Sequence, residues 1–286
     1  MEFSMKVISL RKIIRVISAW EEGKIIFRVG GEEEGSPQCI WFQIICDRVS
    51  ILQIELDLTK LITYTPPKEE TIFSLDAKTL INVMKFADLD GTVKIGYDDG
   101  KVRFEFTVED KSKSVEIYLR ENKHDSDCFL MDKEYTTSVS LLTQEFKQIV
   151  ENLLLFDDEM YIGFNNKNQI KFSVVNDTTD ISVILNESSA KPSALKLKCG
   201  SGKLVSAKNS NYQKAREFKI SENYRISVKI KYIQRIIQVI DNLKYKPLYI
   251  KSKIFNETYP WSLEFIIPNV ATIKYFICLL LEEKEE

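Results

Sequence analysis

One pattern of apolar and polar residues recurs four times along this chain: a strand leads into an amphipathic helix, and short strands follow. The clearest helical copies lie at 75–87 and 143–153, and both place apolar residues at i, i+3, i+4 and i+7. Each is followed by a short strand pattern, at 93–97 and at 160–164. An internal repeat of this kind constrains the fold more than any single residue does.

The pattern predicts an α+β fold of two similar domains, 1–119 and 135–286, joined by a polar connector, 120–134. Each domain should contain two helices packed on antiparallel sheets, with the helices at 10–22, 80–87, 143–155 and 232–242. The connector contains an apolar quartet, 128–131, which either packs back on the fold or helps to form a partner site. The predicted strands lie at 3–7, 24–29, 40–45, 49–57, 71–75, 92–97, 101–108, 114–119, 135–140, 159–164, 169–175, 180–185, 224–228, 248–253, 261–267 and 273–278.

The faces of the helices opposite the apolar stripes are largely basic. A solvated charged face is the ordinary interpretation of one such helix. Recurrence in equivalent copies instead favours one common basic surface, because repeated helices on a common sheet would present the same face. The cations concerned are Arg11, Lys12, Arg15, Lys78, Lys85, Lys147, Lys231 and Arg235.

Charge is distributed unevenly, although the formal net charge is only -2. Residues 191–219 contain eight basic residues and one acid, with few apolar residues, so we predict a basic loop there. A locally basic protein that is acidic elsewhere suggests directed contact with a polyanion. The segment either adds such a contact, to DNA or to a polymerase, or only solubilises the chain.

The sequence favours a protein without catalysis, cofactor or metal. The chain has one histidine, His124, and five cysteines without a CxxC pair, which argues against a zinc site, so we expect reduced thiols that are mostly buried. The chain has no GxxxxGK[ST], GxGxxG or GxSxG motif, and its acidic clusters lie at predicted turns. No apolar run approaches the length of roughly 18 residues that a membrane-spanning helix needs, and the first residues lack a signal-peptide core.

Five stretches, in order and at matching spacing, resemble the DNA polymerase sliding clamps of the proliferating cell nuclear antigen (PCNA) family. They are a first helix at 9–14, a strand at 46–54, a second helix at 80–87, the connector exit at 133–135, and C-terminal strands at 260–265 and 273–277 before an acidic tail. The resemblance implies the clamp fold and a ring of three two-domain subunits around duplex DNA. The eight helix cations would then face phosphates, with the third helix contributing least because Glu151 stands where the family is usually basic.

The resemblance also implies two protein contacts. Subunits would join through edge strands that contain Ser114, Val115, Ile117 and Leu119 on one side and Asp180, Ile181, Val183 and Leu185 on the other. Partner proteins would insert a short peptide into a pocket formed by Cys46, Val49, Leu130, Pro260, Ile277, Cys278 and Leu279. Cys278 and Leu279 replace the family's usual Ala-Pro, which implies a divergent peptide motif in the partners.

We therefore expect a processivity clamp without enzymatic activity. Its expected partners are double-stranded DNA without sequence preference, a DNA polymerase, a clamp loader, other replication and repair proteins, and further copies of itself in a homotrimer. Two alternatives stay open: a subunit of a heteromeric, checkpoint-type clamp, and a monomeric or dimeric processivity factor that binds DNA by its basic face. The expected location is the nucleus, or a viral replication compartment in the nucleus or cytoplasm, and neither a membrane nor the secretory route.

Overall fold

The computed structural model describes residues 1–20, 23–32, 39–46, 49–119, 134–187, 195–198, 217–243 and 246–280. These residues form an α+β fold with mostly antiparallel sheets and four α-helices, which confirms the predicted α+β class, whereas the clamp type of fold stays a prediction. Two compact units are present. The first is Met1–Met131 with Val239–Tyr245 and Ile266–Lys274, and the second is Asp132–Gln238 with Lys246–Phe265 and Tyr275–Glu286. The domain limits 1–119 and 135–286 stay a prediction, and most of the connector lies outside the described residues.

The N-terminal part of the chain twice places a helix directly after a strand. Its elements are β1 (Glu2–Lys6), α1 (Val7–Ile17), a 3₁₀ turn (Ser18–Trp20), β2 (Lys24–Val29), β3 (Ile40–Cys46), β4 (Ser50–Leu56), a 3₁₀ turn (Leu58–Lys60), β5 (Thr63–Thr65), β6 (Thr71–Asp76), α2 (Ala77–Val83), a 3₁₀ turn (Met84–Phe86), β7 (Thr92–Asp98), β8 (Lys101–Val108) and β9 (Lys111–Tyr118).

The C-terminal part repeats this plan. Its elements are β10 (Thr137–Leu142), α3 (Thr143–Leu154), β11 (Glu159–Asn165), β12 (Gln169–Asn176), β13 (Thr179–Asn186), β14 (Leu195–Lys198), β15 (Glu217–Lys219), β16 (Tyr224–Lys229), α4 (Ile230–Asn242), β17 (Tyr249–Ile254), β18 (Trp261–Ile267) and β19 (Ala271–Ile277). The predicted run of strand, helix and further strands is therefore confirmed in all four copies.

The first unit contains a five-stranded antiparallel sheet in the order β5-β1-β7-β8-β9. A second group of strands has the order β6-β2-β3-β4, and the part of β19 that belongs to this unit lies beside β4. An ion pair between Lys274 Nζ and Glu55 Oε2, at 2.7 Å, joins β19 to β4. Strands β7 and β8 of the five-stranded sheet alternate buried with half-buried or exposed side chains, as expected of a sheet with one face on the core, whereas β2 and β4 are buried along almost their whole length.

The second unit contains the corresponding five-stranded sheet in the order β14-β13-β12-β11-β16. Its other strands follow the order β15-β10-β17-β18. The strand that precedes α4 therefore pairs with the strand that follows α3, and the strand that precedes α3 pairs with the strand that follows α4. The first unit has the same arrangement, because β1 pairs with β7 and β6 pairs with β2.

Four equivalent hydrogen bonds fix the points where strand becomes helix. In each case the amide of the first helical residue donates to a carbonyl that lies just before the next strand of the neighbouring copy. This bond satisfies one of the amide donors that every helix leaves free in its first turn. The four bonds are Val7 N to Gly91 O at 3.0 Å, Ala77 N to Gly23 O at 2.9 Å, Thr143 N to Leu248 O at 3.0 Å and Ile230 N to Asp158 O at 2.8 Å.

Aromatic side chains fill the core between the strands of the first unit. Phe27 on β2 stacks on Phe73 of β6, with ring centroids 4.7 Å apart, and Phe73 stacks in turn on Tyr97 at 4.7 Å. Phe42 on β3 contacts Phe27 at 4.6 Å. In the second unit Phe146 of α3 meets Phe172 of β12 edge to face at 5.9 Å. Burying each such ring contributes about 1.5–3 kcal/mol relative to leaving it exposed.

The first helix begins earlier than predicted. It starts at Val7 rather than residue 10, and its regular α-helical part ends at Ile17. Sequence signals missed this start because Lys6, in an extended conformation before the helix, makes no side-chain capping bond. The fourth helix likewise starts two residues before its predicted position, at Ile230.

The prediction of an unstructured loop at 191–219 is wrong in part. The segment contributes β14, which pairs with β13, and β15, which pairs with β10. The prediction failed because the two strands are only four and three residues long, too short for the alternation of Leu195 and Leu197, or for the single Phe218, to stand out as a strand pattern. Residues 191–194 and 199–216 lie outside the described residues.

Candidate nucleic-acid interface

The four helices can be compared residue by residue, because each begins directly after a strand. Counted from the first helical residue, the second, fifth, sixth and ninth positions point away from the buried stripe. The predicted cations fall on these positions. The second position holds Ile8, Lys78, Gln144 and Lys231; the fifth holds Arg11, Ile81, Lys147 and Gln234; the sixth holds Lys12, Asn82, Gln148 and Arg235; the ninth holds Arg15, Lys85, Glu151 and Gln238.

In the first unit α1 and α2 lie side by side. Arg11 donates from Nη2 to the carbonyl oxygen of Ala87, 3.0 Å away, at the end of the segment that follows α2. Arg15, Lys78 and Lys85 are exposed, whereas Arg11 and Lys12 are half-buried. The bond from Arg11 ties the two helices together and holds its guanidinium at their junction.

The second unit carries fewer of these cations, and one of them is paired with an acid. Lys147 forms an i, i+4 ion pair with Glu151, with Nζ 3.7 Å from Oε1. Lys231 is exposed and its ammonium lies 5.0 Å from the ring centroid of Tyr232. Arg235 is half-buried. Because an acid occupies the ninth position of α3, this helix offers the weakest attraction to an anion.

The helices differ in their acidic residues: α3 contains Glu145 and Glu151, and α4 contains Asp241. The segments 7–17 and 77–86 contain no acidic residue, so their outward faces carry only positive charge. Duplex DNA presents about one phosphate charge per 1.7 Å of its axis. Long, flexible Lys and Arg side chains can contact these phosphates at many positions of the protein along the duplex. Such contacts provide affinity without reading bases, because phosphates carry no sequence information.

The first predicted subunit edge lies at the edge of its sheet. Strand β9 contains Ser114, Val115 and Ile117, and within the described residues only β8 pairs with it. Val115 and Ile117 are half-buried, and the amide of Leu119 donates to the carbonyl of Gly100 at 2.8 Å. An open strand of this kind can accept a further strand, because its outer amides and carbonyls lack partners within the sheet. That a second subunit supplies this strand stays a prediction.

The second predicted edge is not the outermost strand of its sheet, and this part of the expectation is corrected. Strand β14 pairs with β13, with Asp180 opposite Lys198 and Val183 opposite Leu195. Ile181, Val183 and Leu185 are buried, as core-facing residues of a sheet should be. The error arose because β14 belongs to the basic segment that was predicted to be a loop.

The residues of the predicted peptide pocket have mixed environments. Val49, Pro260 and Leu279 are half-buried, Ile277 is fully buried and Cys278 is exposed. The side chain of Cys46 and the whole of Leu130 lie outside the described part of the chain. Cys46 and Val49 belong to the first unit, and the C-terminal members belong to the second. The pocket itself stays a prediction.

The described thiols are in the reduced form. Burial raises the pKa of the Cys39 thiol to about 11, although Arg28 opposes this shift. Partial desolvation also raises the pKa of Cys278. Both thiols are therefore protonated at neutral pH, which makes them weak nucleophiles.

Among the described residues no group of three His, Cys, Asp or Glu side chains is placed to hold a metal ion, and no helix is long and apolar enough to cross a bilayer.

Sequence reasoning missed a second basic feature, on a sheet rather than a helix. Arg225 of β16 and Lys171 of β12 lie opposite the same residue, Gly163 of β11. No clear signal in the sequence indicates it, because only the register of three strands brings Arg225 and Lys171 beside Gly163.

No protein-family model and no curated protein sequence matches this chain.

Proposed function

We propose that this protein is a DNA sliding clamp, a processivity factor that encircles duplex DNA and tethers a polymerase and other replication or repair proteins. The observation that carries the proposal is the repeat of four strand-to-helix junctions with cations at equivalent outward positions. Three of the four helices carry two or more of these cations. An arrangement of several basic helices suits a long, uniform polyanion better than it suits a small ligand.

The mechanism needs no catalysis. Cations on the helices would hold the phosphate backbone through flexible, exchangeable contacts, so the protein would move along the duplex without stopping at particular bases. Topological closure around the DNA would then retain the protein when single contacts break. The polymerase, the clamp loader and other partners would dock elsewhere, through a short peptide, in the nucleus or in a viral replication compartment.

Ring closure would come from strand pairing between copies. Strand β9 of one subunit would add to the sheet of the next, and head-to-tail contacts of this kind form a closed ring when the rotation closes. Since β14 covers β13, the second edge of the ring would be β14 itself, or β14 would leave β13 upon assembly.

The covered edge also favours a second candidate function. If β14 remains in place and does not pair with β9 of a neighbouring copy, the ring of identical subunits cannot close, and the chain would act as one subunit of a heteromeric clamp or as a monomeric or dimeric factor that binds DNA by its basic face. In both cases the helix cations would still contact phosphates, but a homotrimer would not form.

Topological retention tests the proposal. The protein is incubated with a duplex that is anchored at one end on a bead, the free end is then blocked with streptavidin, and the bead is washed at high salt. A protein that encircles DNA should stay on the blocked duplex and leave when a restriction enzyme cuts it. Release at the same salt concentration from blocked and unblocked duplexes would contradict encirclement and indicate face-on binding.

A further inference from the structure

The exposed face of the sheet β14-β13-β12-β11-β16 carries a row of cations around a glycine. Arg225 on β16 and Lys171 on β12 flank Gly163 in direct register, and both side chains are exposed. Because neighbouring strands lie about 4.8 Å apart, the two backbones are about 10 Å apart across the glycine. Gly163 has no side chain, and nothing lies closer than 3.8 Å to the place where its Cβ would be. The row therefore forms a shallow notch with a cation on each side.

The equivalent row in the first unit is neutralised. There Gly96 lies between Glu2 and Arg103, so an acid stands where the second unit has Arg225. Arg103 Nη2 is 2.7 Å from Glu116 Oε1, whereas Lys171 faces the apolar Ile184 at the corresponding position.

Neither Arg225 nor Lys171 has an ion-pair partner among the described residues. The guanidinium of Arg225 lies 4.6 Å from the ring centroid of Tyr161, stacked over its face. The nearby acid Glu257 accepts a hydrogen bond at 3.2 Å from the backbone amide of Arg225 and not from its guanidinium. Glu159, on the same face, is paired with Lys229, with Oε2 3.6 Å from Nζ. The row thus keeps its positive charge.

The basic segment of the sequence joins the same sheet. Strand β14 comes from residues 191–219, which hold eight basic residues and one acid, and it pairs with β13.

We propose that the Arg225–Gly163–Lys171 row on this sheet face binds the backbone of single-stranded nucleic acid. A phosphate would lie over Gly163 between the two cations, and the planar guanidinium on Tyr161 would present a stacking surface to a base. Open sheets with exposed planar groups and flanking cations suit single strands, whose bases are free to stack. An acidic peptide would satisfy the cations but would not use the planar surface. The inference does not rest on the proposed function, because the row lies on a sheet and not on the helices.

The test is binding of a fluorescent 20-nucleotide oligothymidine to the full chain, measured by anisotropy at several salt concentrations. Lys171→Gln with Arg225→Gln removes two cations from the row. We expect about tenfold weaker binding, and a slope of log affinity against log salt that is shallower by about 1.4, since each phosphate contact on a single strand contributes about 0.7. Lys94→Gln with Arg103→Gln removes the same charge from the first unit and should change the affinity less than twofold.

Equal losses in the two double variants would overturn the proposal, because only overall charge would then matter. Competition by poly-glutamate that is stronger than competition by oligothymidine, and sensitive to the same two residues, would also overturn it and assign the face to an acidic protein segment. Duplex retention in the end-blocking assay should not change in Lys171→Gln/Arg225→Gln, so failure here is distinguishable from failure of the proposed function.

Discussion

The backbone amide of Val7, the first residue of α1, donates a hydrogen bond to the carbonyl oxygen of Gly91, 3.0 Å away. The reciprocal bond joins the first residue of α2 to the glycine that follows α1, from Ala77 to Gly23 at 2.9 Å. Each copy of the repeat therefore fixes the start of the other copy's helix. This exchange sets the positions of α1 and α2, and with them the positions of the cations that they carry.

Gly91→Ala should destabilise the protein. A Cβ at this position would lie 2.7 Å from the carbonyl oxygen of Thr107 and 2.6 Å from Val108 Cγ2, so backbone must shift. We expect the free energy of unfolding to fall by about 1–3 kcal/mol, as overpacking usually costs. Gly96→Ala is the matched control, because the nearest atom to its Cβ would be 3.9 Å away. Urea denaturation of both variants checks this, and equal stabilities would contradict it.

The ion pair between Arg28 and Glu70 should matter more than the one between Lys94 and Glu2. The Arg28 side chain is 11% exposed and lies over the ring of Trp41, 4.8 Å from its centroid. Glu70→Gln would leave a nearly buried guanidinium without its carboxylate, and we expect a loss of about 1–3 kcal/mol. Glu2→Gln breaks an exposed pair and should cost less than about 1 kcal/mol. Thermal and urea unfolding would measure both, and a larger loss for Glu2→Gln would contradict the account.

Lys78→Gln with Lys85→Gln should weaken binding to duplex DNA. Both side chains are exposed on the outward face of the α2 segment, and each lost phosphate contact removes about 0.9 from the salt slope on duplex DNA. We expect a slope that is shallower by about 1.8 in a titration by anisotropy. Lys60→Gln with Lys68→Gln removes the same charge from exposed positions outside the helices. A similar effect of both double variants would show that the helix face has no special role.

Glu151→Gln should strengthen duplex binding. The change removes the only acid at the ninth position of the four helices, together with its ion pair to Lys147, whose Nζ lies 3.7 Å from Glu151 Oε1, and so removes repulsion between α3 and phosphate. We expect a salt slope that is steeper by up to about 0.9, one additional phosphate contact. Glu145→Gln removes an acid from a different position of the same helix and serves as the control. An unchanged slope for Glu151→Gln would indicate that α3 does not approach the DNA.

Cys39 should react slowly with alkylating reagents while the protein is folded. Only the thiolate reacts, and burial favours the neutral thiol, so the pKa of about 11 keeps the thiolate scarce until the pH approaches that value. At pH 8 the folded protein should be alkylated at Cys39 about 100-fold more slowly than the protein in urea, since two pKa units separate the thiols. Peptide-resolved mass spectrometry measures the rate. Rates that agree within threefold would contradict the burial of this thiol.

Local patterns were sufficient to predict most of the elements. Strands β8 and β18 have the predicted bounds, and β8 follows a tight turn at which Asp99 and Gly100 have φ of 43° and 71°. Asp followed by Gly is a strong turn signal, because both tolerate positive φ. The start of α1 was not predictable in this way, because the Val7–Gly91 bond that fixes it joins residues far apart in the sequence.

The exposed helix cations of the candidate site were predictable from the sequence, as most of the helices and strands were. Helical spacing placed Lys78 and Lys85 on one exposed face, and both are exposed. Spacing did not reveal that Arg11 would bond to Ala87, or that β14 would cover β13, because both depend on tertiary contacts. The row at Gly163 also depends on the register of three strands, which the sequence of any one strand does not contain.

The measurement that tests the central claim most directly is the mass of the protein in solution, by light scattering on a sizing column across a concentration series. A homotrimeric clamp predicts a stable mass three times the 33.2 kDa of the chain. A monomer at every concentration would contradict a self-sufficient ring.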